Sequence, residues 1–393
     1  MNTDLPLPGP DAQQASLKLS KIIADEIVAA GGWIPFSRYM ELALHHPGLG
    51  YYGGGAHKFG DSHAGGDFIT APELTPLFGQ TLANQVVEIM SESSPVILEV
   101  GAGSGILAAD MLAALAEIGH LPDQYLILEL SGELRARQQQ LIRKAVPDLA
   151  GRVAWLDSIP DRFSGCIVAN ELLDAMPVHA VAWRDQQIVS RGVTLVGDGQ
   201  ASQFTWSEQP AATDVEAAAA RLPVTDRPYL SEIGLVASAW LTEWANVLQR
   251  GAMLLIDYGL PQHEYYHSAR NGGTIRCHYQ HRVHDDPFWW PGLCDITAHV
   301  DFSALAAVGQ AAGLEVLGYC NQASFLINCG LGERLAKRSA ESELRAFKAA
   351  NAARTLISPN EMGELFKALA MGRGIERPLL GFSTGDRRHA LLQ

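Results

Sequence analysis

Val96-Ile97-Leu98-Glu99-Val100-Gly101-Ala102-Gly103-Ser104-Gly105 is the stretch that decides the fold. Val96–Val100 reads as a short buried strand, the three glycines as a turn, and Leu107, Met111, Leu115 and Ile118 as one face of a helix. A glycine turn between strand and helix lets a ligand approach bare backbone beside helix N–H groups. Dinucleotide sites favour GxGxxG, whose spacing leaves room for a pyrophosphate. Here the spacing is GxGxG, followed by Ile106, and Glu99 stands just before the turn. A carboxylate there would repel a pyrophosphate but favour a cationic amino-acid end, directly or through water. S-adenosylmethionine fits, having no phosphate and a positively charged methionyl portion. Glu99, Gly101, Ala102 and Gly103 are therefore predicted cofactor residues.

Tyr125–Leu130 is predicted as a second strand. Glu129 stands near its end to accept hydrogen bonds from both ribose hydroxyls, with Leu130 beside it. That acid would serve NAD equally well. Val153–Leu156 reads as a third strand, and Asp157-Ser158 after it as a place where a carboxylate meets the adenine amino group; a plain turn role is the alternative. Gly165–Ala169 is a fourth strand and Ala252–Asp257 a fifth, with Leu314–Tyr319 a sixth and a last strand-like piece around Phe366–Met371. Apolar strands alternating with helices predict an α/β fold: a Rossmann-like, mostly parallel sheet with helices on both faces.

Other stretches depart from this alternation. Residues 1–15, rich in Pro, Asp and Gln, read as frayed, and a helix is predicted from Leu19 to Gly31. Gly53–Gly66 holds six glycines and reads as a mobile loop, either a lid or an ordinary surface loop. Val178–Trp206 reads as an antiparallel β-meander inserted in the core, and 207–228 as a polar linker. The predicted organisation is an N-terminal helical or lid region (1–80), a first core part (81–177), the meander and linker (178–228), and a second core part with C-terminal elements (229–393).

Composition narrows the class. The chain has 393 residues, 47% hydrophobic and 18% charged, which is ample for a large core and excludes a disordered chain. A net charge of −14 argues against nonspecific nucleic-acid or anionic-membrane binding. Its apolar runs fall far short of the roughly 20 residues that span a bilayer. The first residues lack a signal or transit pattern, and five scattered cysteines without CxxC read as reduced thiols. A cytoplasmic enzyme, with no nucleic-acid partner and no membrane insertion, is the expectation.

An acceptor should meet the methyl group at the carboxyl ends of strands four and five. Strand four runs into Asn170-Glu171-Leu172-Leu173-Asp174-Ala175-Met176-Pro177. Glu171 and Asp174, beside Asn170, suit the grip of a planar guanidinium by paired hydrogen bonds. The alternative is structural: Asn170 caps a short helix whose first turn holds both acids. His278, His281 and His284 recur every third residue, a spacing that would set them on one helical face and could hold a metal. No thiolate or carboxylate completes a tetrahedral set, so no metal is predicted and a rim of the acceptor site is the reading. Trp289-Trp290 is suited to stacking on a guanidinium, or to burial. Asp257 reads as either an acceptor-pocket wall or a loop cap. GxSxG and HExxH are absent from the sequence.

Gly66–Glu73 (GDFITAPE), Glu99–Gly105, Asn170–Pro177, Leu255–Gly259 (LIDYG) and Asp295–Phe302 (DITAHVDF) together resemble the signature blocks of the MidA (DUF185) family. Its members are class I S-adenosylmethionine-dependent methyltransferases, and its mitochondrial members methylate an arginine of a respiratory complex I subunit during assembly. The resemblance spans about Leu19 to Phe382. It implies a seven-stranded sheet, arginine on a protein substrate as the acceptor, and Thr70 and Pro72 near the cofactor; His299 as an orienting residue is a further implication. A complex I subunit is then one possible partner, and a homodimer another. The sequence is also compatible with two rival functions: a cofactor-binding assembly chaperone without turnover, and an NAD-dependent oxidoreductase.

Overall fold

A computed structural model describes residues 5–54, 70–185, 187–197, 203–339 and 343–392. Most of the Gly53–Gly66 loop lies outside the described residues. The chain divides into two compact units: one of residues 1–68, 173–239 and 261–301, the other of 69–172, 240–260 and 302–393.

The second unit carries the sheet. Its strands are β1 (Val96–Val100), β2 (Gln124–Leu128), β3 (Val153–Leu156), β4 (Phe163–Asn170), β5 (Leu248–Leu260), β6 (Glu315–Asn321) and β7 (Phe366–Arg373). They run in the order β6-β7-β5-β4-β1-β2-β3. β1 to β5 pair in parallel, with Val100 opposite both Leu128 and Ala169 and Ile256 opposite Asn170. β7 is antiparallel to both β5 and β6. Among the described residues these strands form the path of a mixed α/β sheet.

Helices Pro76–Glu92 and Ile106–Glu117 bury Leu77, Phe78, Leu82, Leu107, Met111 and Leu115 with strand residues Ile97, Ile127, Val168 and Leu254. Each such large side chain, fully withdrawn from water, contributes about 1.5–3 kcal/mol. In open α/β sheets ligands bind outside the carboxyl ends of the strands.

In the other unit, strands Ile34–Pro35, Gln187–Val196, His179–Arg184 and Tyr229–Ile233 follow one another across an antiparallel sheet, with Gln203–Pro210 also on Gln187–Val196. Helices Pro10–Ala29 and Phe36–His45 supply Leu19, Ile23, Phe36 and Tyr39 to its core.

Four local readings need correction. The first helix begins at Pro10, inside the stretch read as frayed, because proline is preset for a helix's first position and loses no hydrogen bond there. The 207–228 linker contains helix Thr213–Ala219. His278 and His284 lie on paired strands Arg276–Tyr279 and Arg282–His284, not on a helix; Gln280 and His281 form the turn with φ of 46° and 60°. Among the described residues no group of His, Cys, Asp or Glu is placed to hold a metal. Finally, no helix follows Asn170, which removes the capping alternative.

Candidate cofactor site and acceptor residues

At the end of β1 the chain turns through Gly101, Gly103 and Gly105 with φ of 71°, 52° and 87°, all left-handed. A Cβ on Gly101 would lie 2.8 Å from Leu172 Cδ1, so only glycine fits this approach without displacing that side chain. Helix Ile106–Glu117 starts without a side-chain cap on Gly105, although the Ile106 amide reaches Ser104 Oγ at 3.3 Å. Ser104 Oγ itself donates to Glu73 on the short helix Ala71–Leu74, which ties that segment to the turn. Thr70 and Pro72, predicted near the cofactor, are buried at the start of the same helix.

Glu99 is buried, and its Oε2 accepts from Tyr125 OH at 2.7 Å. Loss of hydration pushes its carboxyl up to about 7, against the lowering effect of the tyrosine. The acid thus sits beneath the turn, engaged by its neighbouring strand.

Glu129 follows β2. Its Oε1 accepts from the Ser131 amide at 2.9 Å, and its Oε2 from Gln138 Nε2 at 3.1 Å. Burial raises its pKa above the ordinary carboxylate value, and these bonds oppose the rise. Gln138 is fully buried and also donates to the Gly103 carbonyl at 3.0 Å while accepting from Trp155 Nε1 at 2.9 Å. One side chain therefore fixes the glycine turn, the acid after β2 and the tryptophan of β3. Sequence reasoning missed it. The available signal was a glutamine spaced four residues from both Leu134 and Ile142, on the inward side of its helix.

Asp157 is largely exposed and pairs with Arg135 Nη2 at 2.8 Å; the same guanidinium donates to the Glu129 and Leu156 carbonyls. Leu130 and Ser158 are exposed beside these two acids.

Asn170 closes β4 one residue past the Ala169–Val100 pair. Its Nδ2 donates to Glu171 Oε1 at 3.2 Å, while its buried Oδ1 meets no hydrogen-bond donor. Glu171 adopts φ 49°, uncommon for a residue with a side chain, and its Oε1 also accepts from the Ala71 amide at 3.2 Å. The Glu171 amide donates to Ile256 O at 2.9 Å. Asp257 supports this turn: its Oδ2 accepts from the Leu172 amide at 3.1 Å and its Oδ1 from the Tyr258 amide at 2.9 Å. Glu73, Glu99, the glycine turn, Glu129, Asn170 and Glu171 thus all belong to one unit.

Asp174 and His299 belong to the other unit. Asp174 is buried, and its carbonyl accepts from the Ala298 amide at 3.0 Å, one residue from His299. The His299 amide donates to Thr274 Oγ1 at 3.1 Å.

The chemistry of this set fits S-adenosylmethionine. The glycine turn leaves backbone bare, and the side chains around it are acceptors: Glu129, whose carboxylate suits a ribose diol, and Asn170 Oδ1, which lacks a donor.

A family profile described as "Putative S-adenosyl-L-methionine-dependent methyltransferase" matches residues 81–320. The chain is similar over 98% of its length to a Burkholderia thailandensis protein crystallised with S-adenosyl-homocysteine, at 48% identity, 100% coverage of that chain and a TM-score of 0.94. Among curated proteins it is 29% identical to the mitochondrial protein arginine methyltransferase NDUFAF7 of Danio rerio, covering 88% of this chain and 85% of that one. The NDUFAF7 homolog of Drosophila melanogaster is also 29% identical, over 95% of this chain and 90% of its own.

Proposed function

The chain belongs to this family of S-adenosylmethionine-dependent methyltransferases, and from that premise we propose that it methylates arginine side chains of a protein substrate. S-adenosylmethionine supplies a methyl group already activated by its sulfonium, so the enzyme's main task is alignment of the nucleophile. Glu129 would hold the ribose hydroxyls, Asn170 Oδ1 would accept from the methionyl end, and the bare backbone at Gly101, Ala102 and Gly103 would let that end approach. The exposed Leu130, with Asp157 and Ser158, would border the adenine, and Thr70 and Pro72 would stand behind Glu171.

One observation carries the acceptor reading. Glu171 is held in a left-handed conformation at the end of β4, its carboxylate steadied by the Ala71 amide and Asn170. A carboxylate so fixed can take a guanidinium edge and orient one nitrogen for attack, after which the extra proton leaves to solvent. The names of the NDUFAF7 relatives support arginine as the acceptor. Asp174 and His299 are proposed to assist the acceptor, each testable by its own substitution.

A seven-stranded class I core with an inserted β-meander is part of the same proposal, as is a respiratory complex I subunit among the candidate substrates. Five free, buried thiols support a reducing, cytoplasmic location. Among the described residues, no helix is long and apolar enough to cross a membrane.

The test is transfer of labelled methyl into lysate from a strain lacking this protein, followed by mass spectrometry. Label on arginine is expected. Label on another residue type overturns the acceptor, and absence of both label and S-adenosylhomocysteine release favours a chaperone without turnover.

A further inference from the structure

Within the unit of residues 1–68, 173–239 and 261–301 lies a groove of about 1610 Å³ that the cofactor chemistry leaves unused. One wall is helix Pro10–Ala29, which contributes Ser16 and Asp25; the other is the loop carrying Asp285, Phe288, Trp289 and Trp290. We propose that this groove docks an arginine-bearing segment of the protein acceptor, an inference that rests on the arginine reading above.

Three observations converge. First, Ser16 is 1% exposed, lines the groove, and its Oγ has no hydrogen-bond partner. An unsatisfied buried hydroxyl costs free energy. This Oγ is closed to solvent, so a docked backbone carbonyl would meet it after the side chains of the groove wall shift aside. Second, the loop lines the groove with two tryptophans, of which Trp289 also packs on Tyr279 at 4.8 Å. Phe288 is anchored against Tyr39 and Trp206 at ring-centroid distances of 5.2 Å each, while Trp289 and Trp290 stand edge-to-face at 6.5 Å and remain partly exposed. Trp290 has φ 43°, a strained setting of the kind found at ligand clamps. Third, the charge is complementary. The lining holds three exposed aspartates (Asp25, Asp285 and Asp286) and one lysine. Asp285 keeps only a 3.5 Å contact with Arg276, and Asp286 accepts from the Phe288 amide.

Indole faces beside carboxylates select arginine over lysine, because a planar guanidinium stacks and pairs at once. They also disfavour anionic partners such as phosphate-bearing lipids and nucleic acid.

The experiment is fluorescence anisotropy of a labelled peptide of alternating arginine and glycine, titrated with the full-length protein and its variants. Trp290→Ala and the pair Asp25→Asn with Asp285→Asn should each weaken binding by about five- to tenfold, the range of a partly desolvated cation–aromatic contact or ion pair. Ser16→Ala should weaken binding while the unfolding midpoint holds or rises, since it deletes an unpaired hydroxyl. Asp148→Asn, an exposed acid elsewhere in the sequence, should change nothing; this separates the groove from bulk charge.

Unchanged binding in Trp290→Ala or Ser16→Ala overturns the proposal, as does equally tight binding of a matched peptide with lysine in place of each arginine. A concentration-dependent dimer that Trp290→Ala abolishes also overturns it, since a second copy then fills the groove. Failure of the arginine reading is distinct: labelled methyl would land on another residue type, whatever the groove variants do to peptide binding.

Discussion

Replacing Gln138 with leucine tests whether the cofactor site is held from behind. The side chain is fully buried and makes three bonds: to Gly103 O at 3.0 Å, to Glu129 Oε2 at 3.1 Å and from Trp155 Nε1 at 2.9 Å. Leucine keeps the volume and removes all three. A bond to a charged group contributes about 1.5–3 kcal/mol and a neutral one about 1 kcal/mol; partial access of water to Glu129 and Gly103 lowers the total, so a loss of about 2–4 kcal/mol in stability is expected. Binding should suffer separately, because Glu129 loses the donor that fixes its orientation. A loss of about 1–2 kcal/mol of preorganisation corresponds to roughly 5- to 30-fold weaker S-adenosylhomocysteine binding. Glu129→Ala sets the ceiling, since deleting two charge-assisted bonds should cost on the order of a hundredfold or more. Trp155→Phe is the control: it removes only the indole bond, costs about 1 kcal/mol in urea denaturation, and leaves affinity within about twofold. Isothermal titration of Gln138→Leu that matches wild type, beside the expected loss of stability, would refute the reasoning and leave Gln138 a core residue only.

Glu171→Gln should cut turnover by at least about tenfold, in the range of lost positioning contacts, while S-adenosylhomocysteine affinity holds; equal activity would reduce Glu171 to a turn residue. Glu99 gives a pH test. Its carboxyl is raised from 4.5 to about 7, so the folded state holds a proton that the unfolded state has released between those values. The stability this contributes is present in full below about 4.5 and lost as pH rises to about 7, a total of about 3 kcal/mol. Glu99→Gln keeps an acceptor for Tyr125 and removes the titration, so its stability relative to wild type should climb across that window. Parallel stability curves would show that burial does not raise this acid.

Much of the fold is legible because β1 to β4 and the centre of β5 are apolar runs separated by helical periodicity, and period and burial are local properties. The glycine turn is legible for a similar reason: Gly101 and Gly105 carry left-handed φ that few other residues adopt. The frayed reading of residues 1–15 missed that Pro10 opens a helix. The histidine triplet misled because a three-residue recurrence fits one helical turn, yet those residues span a hairpin whose reversal occurs at Gln280-His281. Spacing alone does not separate a helix from a strand pair when the apolar positions between are few.

What sequence hides is support between distant residues. Asn170-Glu171-Leu172-Leu173-Asp174 reads as a short helical turn with an asparagine cap, and local propensity favours that reading. Tertiary bonds override it. Asp257, 85 residues from Leu172, takes that residue's amide, the Ile256 carbonyl takes the amide of Glu171, and Ala298 donates to the carbonyl of Asp174. A left-handed φ at Glu171 breaks the helical path at its first residue, and Ala298 takes the Asp174 carbonyl that a continuing helix would use, so the segment stays irregular. Asp257 was read as either a pocket wall or a loop cap; its two oxygens each take a backbone amide, which is cap behaviour. Keeping Glu171 strained therefore depends on a carboxylate whose partners could be found only by folding the chain.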